Sequence, residues 1–385
     1  MRINCLGGGP AGLYFAILAK RADPAHDIVV VERHHPEDSF GWGIVFSDRT
    51  LDTLLQADPP SHAEITRRFH HWSDIDIHFK GECVTAHGHG FSGISRARLI
   101  RILQARAEAL GVTVRNGVDF AACPSRSDCD LVVGADGIHS TVRGLQTAAF
   151  APTIRESSNR YLWLGSTRLF AAFTFAFRET PHGWFNLHAY RFDDRTSSCI
   201  VETPEAVWRE AGLDRLSYEE SIAFCERLFA DVLDGEPLIG NSRRQEHPSG
   251  WQRFASISCR RWWHDRTVLI GDAAHTAHFS VGSGTRLAME DAIELARSLA
   301  AHPADLAAAL ARYQAVREAV AQRVQETGFR RMEWFENVAD HARLSPAEFA
   351  CALLTSSGRL DHEELRRRDP ELMQRMAPRT PQGDN

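Results

Sequence analysis

An apolar run at residues 2–6 feeds directly into Gly7-Gly8-Gly9-Pro10-Ala11-Gly12, and a helical pattern follows without a break. Glycines at 7, 9 and 12 have the Gly-x-Gly-x-x-Gly spacing. That spacing lets a strand-to-helix turn approach a pyrophosphate, which then meets backbone N–H groups and the positive end of the helix. Pro10 and Ala11 open that helix. Glu32 ends a second apolar run, twenty residues beyond Gly12, where a carboxylate can accept hydrogen bonds from a ribose 2′-hydroxyl. The chemistry is that of dinucleotide binding. An acid at this place favours a ribose without a 2′-phosphate, which FAD and NAD satisfy equally.

Two later segments separate those ligands. Asp136-Gly137-Ile138-His139-Ser140, with Arg143, follows the apolar stretch 131–134. Gly271-Asp272-Ala273-Ala274-His275 follows the stretch 268–270, so that Asp272 can hydrogen-bond a ribityl chain. Just beyond it, Ser280-Val281-Gly282-Ser283-Gly284, then Thr285, leads into another helix. A helix start placed there sets N–H groups beside a flavin's pyrimidine edge, where they stabilise negative charge on the reduced ring. Three distant segments of this kind fit one FAD.

The elements that must position these residues follow from periodicity. Residues 2–6, a helix over 10–21 and a strand over 28–32 form a βαβ unit and imply a parallel sheet. A helix over 98–110, closed by Gly111, precedes a strand at 112–115. From 160 to 202 the chain turns to Trp-, Phe- and Tyr-rich runs separated by turn residues, which read as antiparallel strands of a second sheet. The expected fold is α/β: a Rossmann-like FAD-binding domain with a mixed parallel sheet, an inserted antiparallel-sheet substrate domain and a helical C-terminal region. The expected boundaries are 1–75, 95–150 and 255–300 for the first, 76–94 and 151–254 for the second, and 301–385 for the third.

Composition narrows the partners. Lys and Arg number 44 against 50 Asp and Glu, a net charge of −6, which supplies no basic field for nucleic acid or an anionic membrane. No apolar run approaches the ~20 residues that cross a bilayer. The eight cysteines show neither CxxC pairs nor metal-finger spacing, and the first strand begins almost at Met1, so a reduced, cytoplasmic protein is expected. No metal site is expected from His34-His35 or His70-His71, because adjacent histidines point apart. A homodimer is left open.

The three signatures resemble those of the single-component (group A) flavoprotein aromatic hydroxylases, and Arg96, at the start of the 96–99 helix signature, matches that family's pyrophosphate-facing arginine. Arg33, Trp42 and Gly43 complete the cofactor set the resemblance implies. Similarity extends over nearly the whole chain to one branch, through Phe40-Gly41-Trp42-Gly43-Ile44-Val45-Phe46-Ser47-Asp48, Trp163-Leu164-Gly165, His188-Ala189-Tyr190, Ile200-Val201-Glu202, 278–285 and Met332-Glu333-Trp334-Phe335-Glu336. That branch holds the salicylyl-CoA 5-hydroxylases, the hydroxylase half of the anthraniloyl-CoA monooxygenase/reductases and, more distantly, the violacein-pathway tryptophan hydroxylase. The two-part proteins carry a barrel domain absent from this chain, so the expected product is a hydroxylated ring without further reduction. Phe279 and Arg286 stand where many group A enzymes have proline and asparagine.

The resemblance implies that NADH or NADPH reduces the FAD, that O₂ forms a C4a-hydroperoxide, and that its distal oxygen attacks an electron-rich aromatic small molecule, expected to be CoA-linked. Hydroxylation of a free indole or amino acid, and a non-hydroxylating flavin reductase or sensor, are the competing expectations. An apolar pocket should enclose the ring, and Trp163, Phe175, Phe177, Trp184 and Phe279 are its expected lining. His188 and Tyr190, alternating onto one strand face, and His278, beside the flavin loop, are the expected contacts to the ring's OH or NH₂. Arg286 faces either the flavin or an anionic substrate group. Arg160, Arg178, Arg191 and Arg366-Arg367-Arg368 are the candidates for CoA phosphates.

Overall fold

The computed structural model describes residues 1–35, 42–120, 129–241 and 247–376. Phe40 and Gly41 of the stretches above lie outside them. The chain forms two compact units, Met1–His70, Ser92–Ser157 and Arg253–Gly328 in the first, and His71–Phe91, Ser158–Gln252 and Phe329–Asn385 in the second. Residues 301–385, expected as one helical region, thus divide within the helix Leu306–Glu336.

In the first unit a six-stranded sheet runs in the order Trp263–His264, Thr267–Leu269, Leu131–Gly134, Arg2–Leu6, Asp27–Glu32, Thr113–Asn116. All neighbours are parallel except the first pair. The central strands read as continuous apolar runs because helices cover both faces of such a sheet. Pro10–Ala22 buries Leu13, Tyr14, Phe15, Ala16 and Ile17, all fully enclosed. The spatial order has a chemical consequence. The carboxyl ends of four adjacent strands lead into Gly271, Ala135-Asp136, Gly7 and Glu32, so segments hundreds of residues apart meet along one rim, where open α/β sheets bind ligands.

In the second unit the path is Leu238–Ile239, Pro152–Ser166, Ser197–Pro204, Gly183–Arg191, Phe173–Thr180, Ile75–Phe79, Glu82–Ala86, antiparallel throughout except between Phe173–Thr180 and Ile75–Phe79. Alternation splits Gly183–Arg191 between two cores. Phe185, Leu187 and Ala189 pack with Leu162, Val201, Trp208 and Phe229. On the other face Phe177 and Trp184 pack into a core with Phe79, Phe335 and Phe349. Among the described residues no helix is long and apolar enough to cross a membrane, and no group of His, Cys, Asp and Glu is arranged to hold a metal.

Candidate functional site

The turn after the first strand is shaped by its glycines. Gly7 holds φ +117°, and a Cβ there would lie 2.2 Å from the Ala135 carbonyl oxygen. A Cβ on Gly12 would lie 2.1 Å from the Gly7 carbonyl oxygen. Gly9 differs: it caps Pro10–Ala22 with φ −77°, no side chain caps that helix, and nothing stands within 4 Å of a Cβ placed there. The turn is therefore tight behind and open in front, the shape a phosphate-binding turn needs. Gly8 N–H donates to Glu32 Oε2 at 2.7 Å and His34 N–H to Glu32 Oε1 at 2.9 Å, which fixes the carboxylate at the strand end with acceptor capacity left for a ribose. Arg33 Nε donates to His34 Nε2 at 3.1 Å.

The second and third segments are tied together by one side chain. Arg143, buried, donates from Nη1 to the Ala273 carbonyl at 2.9 Å and from Nη2 to the Ile138 carbonyl at 2.5 Å. Asp136 accepts from Ser140 Oγ at 2.5 Å and Val142 N–H at 3.1 Å, so its carboxylate holds the turn that Gly137, at φ +77°, makes. Beneath Gly271 sits a buried ionic network absent from the sequence reading. Asp291 Oδ2 accepts from Gly271 N–H at 2.9 Å and lies 2.8 Å from His275 Nε2, while Oδ1 accepts from Arg317 Nε at 2.8 Å. Burial pushes the Asp291 carboxyl up, but His275 and Arg317 outweigh it and hold it below the ordinary carboxylate range.

Arg96 and Asp272 show what the rim faces. Asp272 presents exposed surface, yet enough protein surrounds it that burial raises its carboxyl above the ordinary range, with Arg96 and His275 opposing. Its carboxylate thus keeps an accessible face while protein crowds it on the others. Arg96, half-buried at the head of Arg96–Ala109, is pressed down by burial and held up by Asp272 and then Glu32, though neither lies within ion-pair distance among the described residues. A guanidinium that feels both Asp272 and Glu32 without an ion pair to either keeps its donors open for an anion. Trp42, whose carbonyl accepts from Arg96 N–H at 3.0 Å, has a buried indole N–H without a partner among the described residues, and Gly43 begins the adjoining strand.

At the flavin loop Gly282 takes φ +58° and Ser283 precedes Gly284–Ala301. Ser283 Oγ donates back to the Val281 carbonyl at 3.0 Å, so this long helix also has no side-chain cap and its first turn, with Gly284 and Thr285, points its N–H groups outward. His278, 3 % exposed, accepts at Nδ1 from Ser280 Oγ at 2.7 Å and packs its ring, tilted by 34°, on Phe279 at 4.1 Å, which makes it the residue that shapes the loop. Arg286 lies 3.2 Å from Glu290 and is engaged with that carboxylate. These residues fit FAD: an open anion-binding turn, a ribose carboxylate, a central arginine, an accessible aspartate and an uncapped helix.

Replacing Asp272 with Asn tests this arrangement. A carboxyl whose folded pKa is raised destabilises the protein once pH exceeds its unfolded value near 4. Asp272→Asn is therefore expected to stabilise the apoprotein at pH 7 while weakening FAD by about 1.5–3 kcal/mol, the worth of a charged hydrogen bond. Thermal melts of apoprotein with flavin-binding titrations check both halves; a variant with unchanged flavin affinity contradicts the role.

In the second unit the strand register gathers a polar and aromatic face. Trp163, Ile200, His188 and Phe175 lie in one row across four strands, and Gly165, Ser198 and Tyr190 in the next. His188, 2 % exposed, lies 2.8 Å from Asn186 Oδ1 and 3.3 Å from Glu202, and burial depresses its pKa against the pull of Glu202. Phe175 and Phe335 close over it at 5.0 and 4.6 Å. Arg331, also buried, lies over both those rings and is pushed down to about 9. Trp163 donates from Nε1 to Ser198 Oγ at 2.8 Å. Tyr190 stacks on Phe173 at 5.4 Å and Trp72 at 6.0 Å, and burial pushes its phenol up to about 12 against a hydrogen bond with Ser198.

The expected pocket residues therefore separate. Phe177 and Trp184 belong to the packed core, with Phe177 4.7 Å from Phe349 and Trp184 5.5 Å from Phe79. Trp163, half-buried, and Tyr190 stand beside an aromatic group the sequence did not single out, Trp72, Phe91 and Phe173, with ring separations of 6.3–6.5 Å. Trp72 carries a buried indole N–H without a partner among the described residues. Aromatic richness marked the face, but only the register divides core from pocket. His278 belongs to the first unit and His188 and Tyr190 to the second.

Comparison with known proteins agrees with this geometry. Residues 124–327 match the family model described as FAD binding domain. The chain is 40 % identical over 367 residues to Salicyloyl-CoA 5-hydroxylase of a Streptomyces species, covering 93 % of this chain and 70 % of that protein. It is 35 % identical to 3-hydroxy-4-methyl-anthranilyl-(aryl-carrier protein) 5-monooxygenase of Streptosporangium sibiricum, covering 88 % and 90 %. Among solved structures, PqsL from Pseudomonas aeruginosa in complex with 2-aminobenzoylacetate shares the fold, with a TM-score of 0.69 at 21 % identity over 89 % of this chain and 98 % of that one. With its cradle for FAD and these relatives, the chain belongs to the FAD-dependent aromatic-ring monooxygenases of the group A type.

Proposed function

We propose that this monooxygenase hydroxylates an aromatic acyl group held as its CoA thioester, of the salicyloyl or anthraniloyl type, para to the ring's OH or NH₂. NADH or NADPH and O₂ are the co-substrates; one oxygen atom enters the ring and the other leaves as water. The observation that carries the reading is the extended identity with the Streptomyces thioester hydroxylase. Bound FAD supplies electron transfer and oxygen activation.

The chain's own residues would do the rest. Gly7, Gly9, Pro10, Ala11 and Gly12 would hold the pyrophosphate with Arg96, Glu32 and Arg33 the adenosine side, Asp136, Gly137, Gly271 and Asp272 the ribityl side, and Trp42, Gly43 and 282–285 the ring. In the second unit Tyr190, stacked on Phe173 and Trp72, would form an aromatic wall against the substrate ring and exclude water, with Ser198, itself held by Trp163, fixing the phenol of Tyr190. Enclosed as it is, His188 would act with Glu202 as a positioning residue for that face.

A carrier-tethered thioester is a second reading, supported by the Streptosporangium relative. Both are tested by NAD(P)H oxidation with salicyloyl- and anthraniloyl-CoA, the matching carrier-bound thioesters, the free acids and tryptophan. At least tenfold stimulation by the thioesters over the free acids, with a product 16 mass units heavier, is expected. Stimulation confined to tryptophan or the free acids would overturn the thioester reading.

A further inference from the structure

Four of the six arginines expected to meet CoA phosphates are engaged with carboxylates. Arg160 lies 3.6 Å from Glu205 and over the Trp208 ring, Arg178 pairs with Asp231 at 2.5 Å, Arg191 with Asp194 at 3.4 Å, and Arg368 with Glu364. A different set in the first unit lines a surface cavity of about 590 Å³: Arg68, Arg98, Arg101 and Arg106, with Glu64 as the one carboxylate on its wall. That volume lies within the range of small-molecule sites.

Its construction is specific. Asp58, fully buried, caps the helix Pro59–Thr66 and accepts two hydrogen bonds from Arg106, at 3.2 and 3.1 Å, while Arg21 lies 2.9 Å away. Burial pushes that carboxyl up, but Arg106, Ser61 and Arg21 outweigh it and keep it ionised, so Arg106 is clamped in the cavity wall. Arg98 and Arg101, by contrast, are exposed and have no ion pair among the described residues. They stand three residues apart on Arg96–Ala109, on the face that also carries Ile102 and Ala105, and Pro60 faces them from the other helix. Two uncompensated guanidinium groups flanking an apolar strip, in a chain of net charge −6, mark a ligand with both phosphates and a flat apolar part.

We propose that this cavity binds the phosphorylated adenosine of a co-substrate. Two sources share that chemistry, the nucleotide end of a CoA thioester and the adenosine half of the reduced pyridine nucleotide. The first rests on the thioester reading above; the second needs only the monooxygenase assignment. Arg98 and Arg101 take the phosphates, Arg68 is held at the wall by Glu64 at 3.5 Å, and the adenine lies along Ile102 and Pro60.

The test uses the FAD-loaded protein and direct titration with adenosine 3′,5′-bisphosphate, ADP-ribose, 2′-phospho-ADP-ribose and inorganic pyrophosphate. At least one adenosine probe is expected to bind tighter than pyrophosphate, and Arg98→Glu with Arg101→Glu to weaken it by at least about tenfold, with flavin content and melting temperature unchanged. The effect should shrink at high salt, because both arginines are exposed. Preference for the 3′,5′-bisphosphate assigns the cavity to CoA, and preference for an ADP-ribose assigns it to the reductant. Should the paired substitution disturb folding, Arg98→Ala with Arg101→Ala serves in its place. No saturable binding, affinity no better than pyrophosphate, or equal binding by a folded variant would overturn the proposal. None of these readouts depends on turnover, so a failed thioester assay and a failed cavity remain distinguishable.

Discussion

Gly12→Ala is expected to yield a colourless, destabilised protein, whereas Gly9→Ala is expected to yield a folded protein that has lost most of its FAD affinity. The contrast follows from where each Cβ would go. At Gly12 it would stand 2.1 Å from the Gly7 carbonyl oxygen and 2.9 Å from Cys5 Sγ. A clash with backbone is not relieved by a rotamer change, so the turn must shift, at a cost of at least about 1–3 kcal/mol for overpacking. The shift would also displace the N–H groups that the proposed pyrophosphate site relies on. At Gly9 the backbone already has φ −77°, which alanine adopts freely, and the Cβ meets no protein atom within 4 Å. The stability cost there should stay within about 1 kcal/mol, that of a poorer N-cap. The added methyl would project into the open space in front of the turn, where the proposed pyrophosphate would sit. Melting curves and bound-flavin absorbance of the two variants check this together; a yellow, stable Gly12→Ala protein would contradict the tight turn, and full FAD occupancy in Gly9→Ala would contradict the open one.

Asp291→Ala should cost about 1–3 kcal/mol at pH 7, because His275 and Arg317 Nε lose a buried acceptor, although Arg317 keeps Glu290 at 3.0 Å. Gly271 N–H loses its acceptor as well, so the loop bearing Asp272 should loosen and FAD dissociate faster. Asp291→Asn restores the shape without the charge and is expected to fall between. The sign with pH follows from the depressed carboxyl: its contribution is complete above the ordinary carboxylate range and is lost as pH falls through the lowered folded value. The stability gap between wild type and Asp291→Asn should therefore narrow in acid. Chemical denaturation across pH measures it, and a gap that widened below pH 4 would contradict the network.

What the sequence disclosed and what it withheld divide along a physical line. Gly7, Gly12 and Gly271 were legible because tight turns demand particular residue types locally, whatever the rest of the chain does. The strand Arg2–Leu6 and the strand Leu131–Gly134 have the bounds their apolar runs imply, since both faces are covered. Asp291 and Arg317 were not legible: within helical sequence a buried acid and a solvated one look alike, and only tertiary packing distinguishes them. The aromatic face was similar. Phe175, Phe177, Trp163 and Trp184 share composition and strand alternation, yet the register and the helices bearing Phe335 and Phe349 send Phe175, Phe177 and Trp184 into the core and leave Trp163 at its edge. Trp72 lies in a three-residue strand, His70–Trp72, too short to carry a periodic signal.

Transfer of an oxygen atom from O₂ by an FAD-loaded chain is the property on which the assigned chemistry turns. Turnover of the thioester substrate under ¹⁸O₂, with NADH or NADPH present, measures it directly. One ¹⁸O atom in the hydroxylated ring, dependent on bound FAD, is the predicted result; reductant consumed with every product carrying oxygen from water, or with no hydroxylated product from any aromatic tested, would contradict it.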